Sequence, residues 1–357
     1  MNRSVLLSPL LLLTACVSID DFEPLELDER FSAVVLHGPF SGDATLQATD
    51  SQGASYDGVV PVGLAGTDWA LGDGADGFWL VGRLGTDVVR RYEWPETGAP
   101  ALEFSTGPQS NPQVALECGD VVFVSRYGVS PNGGGGDVAV YSPDGTPLGA
   151  VDLSEFIEGS DGTPEPSTMV ELDGVLYVGL QRFDRNSGWV ADPVGKVVSI
   201  ECESQEVLES WDTRSNVSVF LADGAVHARG EGGVQRLNGG VFQDVLLDSE
   251  VGPDPVIGLA AGPDGWVLAT ENEVSGANTL WCVQPGETPT ELELAETRAW
   301  AFAVDPVGNA WVSFRDHWVT GAVETGGVGI YDTDSCEKLH QITLSSDPFD
   351  IAFTGLP

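Results

Sequence analysis

From residue 31 onward the chain alternates short apolar strands with polar turns, and the alternation recurs as a unit. Each unit runs an apolar strand, a tight turn often written Asp-Gly, a second strand, a variable polar loop, a third strand, a short turn and a fourth strand. The stretch from Asn111 shows the order: QVALE, the turn Cys118-Gly119-Asp120, VVFVS, the loop RYGVSPNGGGG, DVAVYS, the turn Pro143-Asp144-Gly145, and PLGAVDL. Units open at DWALG (from Asp68), QVALE, STMVEL, NVSVFLA, VIGLAA and AWAFAV, roughly every 38 to 55 residues, a period that marks a repeat architecture. β-Branched and aromatic residues suit pleated, half-buried strands, and Asp-Gly supplies the positive φ angles of two-residue hairpin turns. No stretch of ten or more residues carries a helical period.

Six units are complete, and both ends of the chain hold fragments. The N-terminal fragment has three strands, AVVLH, ATLQAT and, after Ser55, YDGVVPV; the C-terminal one has a single strand, Phe349 to Phe353. Three and one make a seventh unit, which fastens a ring shut and covers the terminal edges. A solenoid would need capping repeats instead. The expectation is an all-β single domain over 31–357: a seven-bladed β-propeller of four-stranded antiparallel blades, one blade closed by strands from both termini. The segments DPVIGLAAGPDGWVLATEN and DPFDIAF resemble repeats of the YVTN and NHL-type propellers. The resemblance spans nearly all of the chain after its leader and implies a fold, not an activity. The Gly-His and Trp-Asp signatures of WD repeats are absent.

The leader is read separately. Arg3 precedes an apolar run from Val5 to Leu13, too short to span a bilayer, which takes roughly 20 apolar residues. Leu13-Thr14-Ala15-Cys16 resembles the bacterial lipobox, which implies a signal peptide over 1–15 and a lipidated Cys16 as the new N-terminus. Several acyl chains on one residue anchor stably where one would not. By resemblance to the sorting rule of Gram-negative lipoproteins, Val17 after the cysteine implies the outer membrane, facing either the periplasm or the surface. Residues 16–30 carry the lipidated cysteine and an acidic tether, VSIDDFEPLELDER.

Charge narrows the partners. The chain has 55 acidic residues against 15 Lys and Arg, a net charge of -40, which repels nucleic acid and bare anionic headgroups. The membrane is therefore met through the lipid anchor only, and the body is expected to be a monomer. The acid excess suits saline surroundings and, equally, solubility at a cell surface. Cys118, Cys202, Cys282 and Cys336 are an even set in an exported chain, consistent with two disulfides in any of three pairings. Their wide spacing argues against zinc.

Catalytic signatures are missing. His37, His227, His317 and His340 fall in different units, with no HExxH pair and no GxSxG elbow. The run from Asp73 to Gly77 reads as turn chemistry rather than a calcium loop. Glu271, Asn272 and Glu273 fall where some six-bladed hydrolases hold a channel metal, so a hydrolase or lyase with a divalent cation in the channel is the competing class. No cofactor is otherwise implied. The leading expectation is a non-enzymatic binding or scaffold module for an envelope protein, peptide or glycan.

One face is expected to do the binding. The second-to-third strand loops are the longest: Tyr127 to Asp137, Arg182 to Gly195, Glu271 to Asn278 and Arg315 to Gly327. Loops on a rigid scaffold carry recognition, and these hold Tyr127, Phe183, Trp189 and Trp318. Basic residues are scarce, yet Arg83, Arg126, Arg182, Arg229 and Arg315 fall at or near the ends of second strands, with Glu271 in the same place. Arg83, Arg126, Arg182 and Arg315 share a strand face, whereas Arg229 is one residue short. One reading is a partial arginine ring at the channel mouth for an anionic group. The other, simpler in so acidic a chain, pairs each arginine with a neighbouring carboxylate.

Overall fold

A computed structural model describes residues 31–38, 43–50, 62–65, 68–74, 76–94, 98–128, 135–158, 161–272, 274–292, 297–316 and 326–355. Its strands form one eight-stranded sheet, five four-stranded sheets and a two-stranded hairpin. The four-stranded sheets begin at Pro112, Pro166, Ser218, Val256 and Thr297, and each is an antiparallel meander in chain order. The eight-stranded sheet is two such meanders, one running from Trp69 to Ser105 and the other assembled from both ends of the chain. In the latter, Pro348–Gly355 pairs antiparallel with Phe31–His37, which pairs with Ala44–Asp50 and then Val62–Leu64. Among the described residues a single parallel bridge, Thr354 to Gly74, joins the two halves. The three-plus-one closure expected from the sequence is thus formed. Of the expected strand YDGVVPV, only Val62 lies among the described residues.

The turns follow the residues that make them. Asp173 (φ 54°) with Gly174 (78°), Asp223 (45°) with Gly224 (67°), and Gly239 (58°) with Gly240 (82°) hold positive φ at both central positions, the hairpin geometry whose twist matches its strands. Another turn is built on Asp305, 3% exposed, whose carboxylate accepts the amides of Val307 and Asn309, the Asn309 side chain and, at 3.0 Å, the Trp311 indole N–H. A buried carboxyl group is tolerable there because donors surround it.

The core lies between sheets. Second strands are buried on both faces, as in Gly77–Gly82, while fourth strands such as Pro147–Asp152 face solvent. Apolar clusters join each sheet to the next: Phe123 and Val140 with Leu176 and Ile200, Val197 with Val219, Val234 with Leu268, and Ala269 with Val312. The last joins the first, since Phe31, Val35 and Phe353 pack on Trp311 and Ile330, with the Trp311 and Phe353 rings 5.3 Å apart, edge to face. The set of sheets therefore closes into a ring around a central channel of about 600 Å³, lined by the strand that opens each meander and by the C-terminal strand.

Of the three cysteine pairings left open, the structure forms Cys118–Cys202 and Cys282–Cys336, each tying one sheet to the next across 84 and 54 residues. Some elements escape the sequence pattern. The long loop after Leu180 contains a small hairpin, Phe183–Asp184 with Val190–Ala191, and Asp248–Val251 forms one helical turn.

Candidate functional site

Second strands end, and first strands begin, on one face of the ring. A repeated hydrogen bond fixes that rim: Arg83 N to Asp68 O, Tyr127 N to Asn111 O, Gln181 N to Glu165 O and Glu271 N to Pro255 O, all between 2.9 and 3.1 Å. The arginines at the strand ends reach this rim but do different things there. Arg126 forks onto Asp137 at 2.7 and 2.6 Å and donates to Thr106 O. Arg182, 4% exposed, meets Glu158 at 3.0 Å and donates to Val194 O. Arg229 donates to Val256 O, in the first strand of the next sheet. Each has a partner that ties loops or sheets together.

Arg83 and Arg315 are brought together at a pocket of about 520 Å³ at the channel mouth, on the seam where the chain ends meet. Its wall includes Asp68, Trp300, Phe349 and Asp350. Arg83 Nε bonds Asp68 Oδ1 at 2.8 Å, and its Nη1 reaches Gln113 Oε1 at 3.4 Å. The Arg315 guanidinium lies between two aromatic rings, 4.4 Å from the centroid of Trp300 and 4.2 Å from that of Phe349. Burial lowers its pKa while Asp347 raises it. Arg298 stands 5.4 Å from the same indole and is paired with Glu271 at 2.6 Å, which also accepts from the Asn278 side chain. Trp300 is 47% exposed although it is flanked by guanidinium groups. Asp350 accepts the amides of Leu71 and Ile351, and burial pushes its carboxyl up to about 6.

Glu271 is thus held by Arg298, and Asn272 caps its own loop by accepting from Val274 and Ser275. Glu273, Trp318 and His317 lie outside the described residues, as does Cys16. Among the described residues no three of His, Cys, Asp and Glu gather as a metal site. Asp73 proves to be more than a turn residue. It sits on a strand, and its carboxylate accepts the Phe353 amide at 2.8 Å across the seam.

The loop aromatics divide. Tyr127 is 8% exposed and packs its loop; Trp189 is 58% exposed, at φ 65°. The Arg185 guanidinium lies 5.3 Å from the Tyr127 ring and 5.2 Å from that of Trp189. Beneath it, Glu165 is fully buried at φ 49°, bonds Thr163 and meets Arg185 at 3.1 Å. Its other oxygen, Oε2, has no partner among the described residues. Burial pushes Glu165 up to about 8.

Sequence reasoning missed Trp300, Phe349 and Asp350. A signal was there: in Thr297–Val304 alanines alternate with Arg298, Trp300 and Phe302, which places the bulky residues on one strand face.

No protein-family model matches the chain, and no curated protein matches it. Solved structures do. Apo AztD from Citrobacter koseri aligns over 91% of this chain and 98% of its own at TM-score 0.53 and 14% identity. The dihydro-heme d1 dehydrogenase NirN aligns over 90% of this chain and 74% of its own, at TM-score 0.54 and 15% identity. Virginiamycin B lyase from Staphylococcus aureus aligns over 91% of this chain and 95% of its own, at 0.51 and 11%. At such identities the likeness shows the fold alone: the chain is a β-propeller.

Proposed function

We propose that the protein is a seven-bladed propeller, tethered to the bacterial envelope through a lipidated Cys16, that binds a partner at its channel mouth without performing chemistry on it. The blade count is supported by the cyclic succession of inter-sheet cores and by the closure from both termini. The disulfides suit an exported chain. The observation that carries the binding reading is Trp300: a large aromatic kept half exposed at a pocket, with a buried guanidinium fixed against its ring. Exposed aromatics held rigid at the edge of a pocket are the residues that dominate recognition energies.

The test is capture from envelope extract by the full-length protein, comparing wild type with Trp300→Ala and with Trp189→Ala, an exposed tryptophan outside the pocket. The reading expects a recovered component that is lost with Trp300→Ala and kept with Trp189→Ala. Equal recovery by all three contradicts it.

A further inference from the structure

Resting on that reading, we infer that the ligand class of the channel-mouth pocket is a neutral glycan, bound with a sugar ring against the Trp300 indole and its hydroxyl groups on Asp68 and Arg83.

Charge balance comes first. Each arginine around the pocket has a carboxylate at hand: Arg83 has Asp68, Arg298 has Glu271, and Arg315 has the field of Asp347. An anionic ligand would have to displace one of these partners and would approach a chain of net charge -40. A neutral ligand does neither. This moves the pocket away from the anion-holding ring that the row of arginines suggests from sequence alone.

The pocket also pairs a flat apolar surface with polar groups. A sugar ring presents C–H groups, slightly positive, on one face, and these meet the negative face of an aromatic ring. Around its rim it carries adjacent hydroxyls, each both donor and acceptor. The Asp68–Arg83 pair is partly exposed, at 44% and 34% of the side chains, with Asp68 Oδ1 on Arg83 Nε and Gln113 Oε1 on Arg83 Nη1. A partly exposed carboxylate and guanidinium at one pocket wall offer an acceptor and donors together, the combination that neighbouring hydroxyls satisfy. The pocket volume, about 520 Å³, lies within the usual range of small-ligand sites.

The pocket wall is also held rigid. Arg315 is clasped between Trp300 and Phe349, and Glu271 holds Arg298 near the same indole, so the platform is set before the ligand arrives. Sugars bury little apolar area, and a preformed surface spares them ordering costs.

The experiment titrates the full-length protein, in a detergent with no sugar headgroup, with cellobiose, maltose and N,N′-diacetylchitobiose, reading tryptophan fluorescence and ligand saturation-transfer NMR. Citrate and an acidic tripeptide form the comparison arm. The inference expects saturable binding of at least one disaccharide below roughly 10 mM, at least about tenfold weaker with Trp300→Ala, largely restored with Trp300→Phe, and weaker with Asp68→Ala. No disaccharide binding, equal binding to Trp300→Ala, or binding of citrate or the peptide alone overturns it. If the disaccharides fail while envelope capture still depends on Trp300, the glycan class falls and the binding module stands. If both fail, both fall. Unchanged thermal unfolding of Trp300→Ala, expected for a half-exposed side chain, separates lost binding from lost fold.

Discussion

Asp73 and Phe353 stand 280 residues apart in sequence, yet the Asp73 carboxylate accepts the Phe353 amide at 2.8 Å. The bond has a reciprocal: Asp350 Oδ2 accepts the Leu71 amide at 2.8 Å. Each inner strand at the seam thus offers a carboxylate to the backbone of the other, beside the ladder bridge between Thr354 and Gly74. Elsewhere in the ring a hydroxyl suffices, as where Thr168 Oγ1 accepts the Val219 amide at 2.7 Å.

The seam is therefore expected to weaken when a carboxylate is removed. Asp350→Ala strands the amides of Leu71 and Ile351 and is expected to cost about 1–3 kcal/mol, with Asp350→Asn, which keeps an acceptor, costing less. Urea unfolding of the three proteins measures the difference. Equal stability of Asp350→Ala and wild type would contradict the role of the clasp.

The buried carboxyls also set a pH dependence. Glu165 is raised in the fold to about 8. A raised carboxyl contributes stability that is fully present below its unfolded value and is lost as pH rises through its folded value. Thermal stability is expected to fall as pH rises from about 5 to about 8 and to level off above that, and Glu165→Gln is expected to flatten that fall, because the amide keeps its neutrality at every pH. Asp350, raised to about 6, adds the same sign of loss at lower pH. Parallel pH profiles for wild type and Glu165→Gln would show that Glu165 does not titrate in this way.

Each disulfide joins neighbouring sheets, so reduction loosens two inter-sheet contacts without opening the terminal seam. Opening loops of 84 and 54 residues is expected to cost roughly 2–5 kcal/mol each, read as a lower unfolding midpoint with reductant. A double Cys118→Ala, Cys202→Ala variant with unchanged stability would contradict this.

What was legible in the chain was periodic. Strand order, hairpin turns and the three-plus-one closure all follow from short-range patterns such as Asp-Gly between β-branched runs, and the structure forms them. The site was legible only in part. The arginines stood out by scarcity, but whether a guanidinium meets a carboxylate or an aromatic depends on neighbours brought in from other sheets. Arg126 finds Asp137 on its own sheet, whereas Arg315 finds Phe349, which enters from the strand that closes the ring. Trp300 looked like one more apolar strand residue, because local pattern does not tell which strand face opens on a channel mouth. Glu165 carries no local signal for a related reason: its ion-pair partner Arg185 is supplied by the next long loop.

Hydroxyl-radical footprinting of the full-length protein in the presence and absence of envelope extract tests the central claim most directly, since it reports the exposure of individual tryptophans. Binding at the channel mouth predicts slower oxidation of Trp300 in extract with Trp189 unchanged. Unchanged oxidation of Trp300, with or without protection of Trp189, would contradict it.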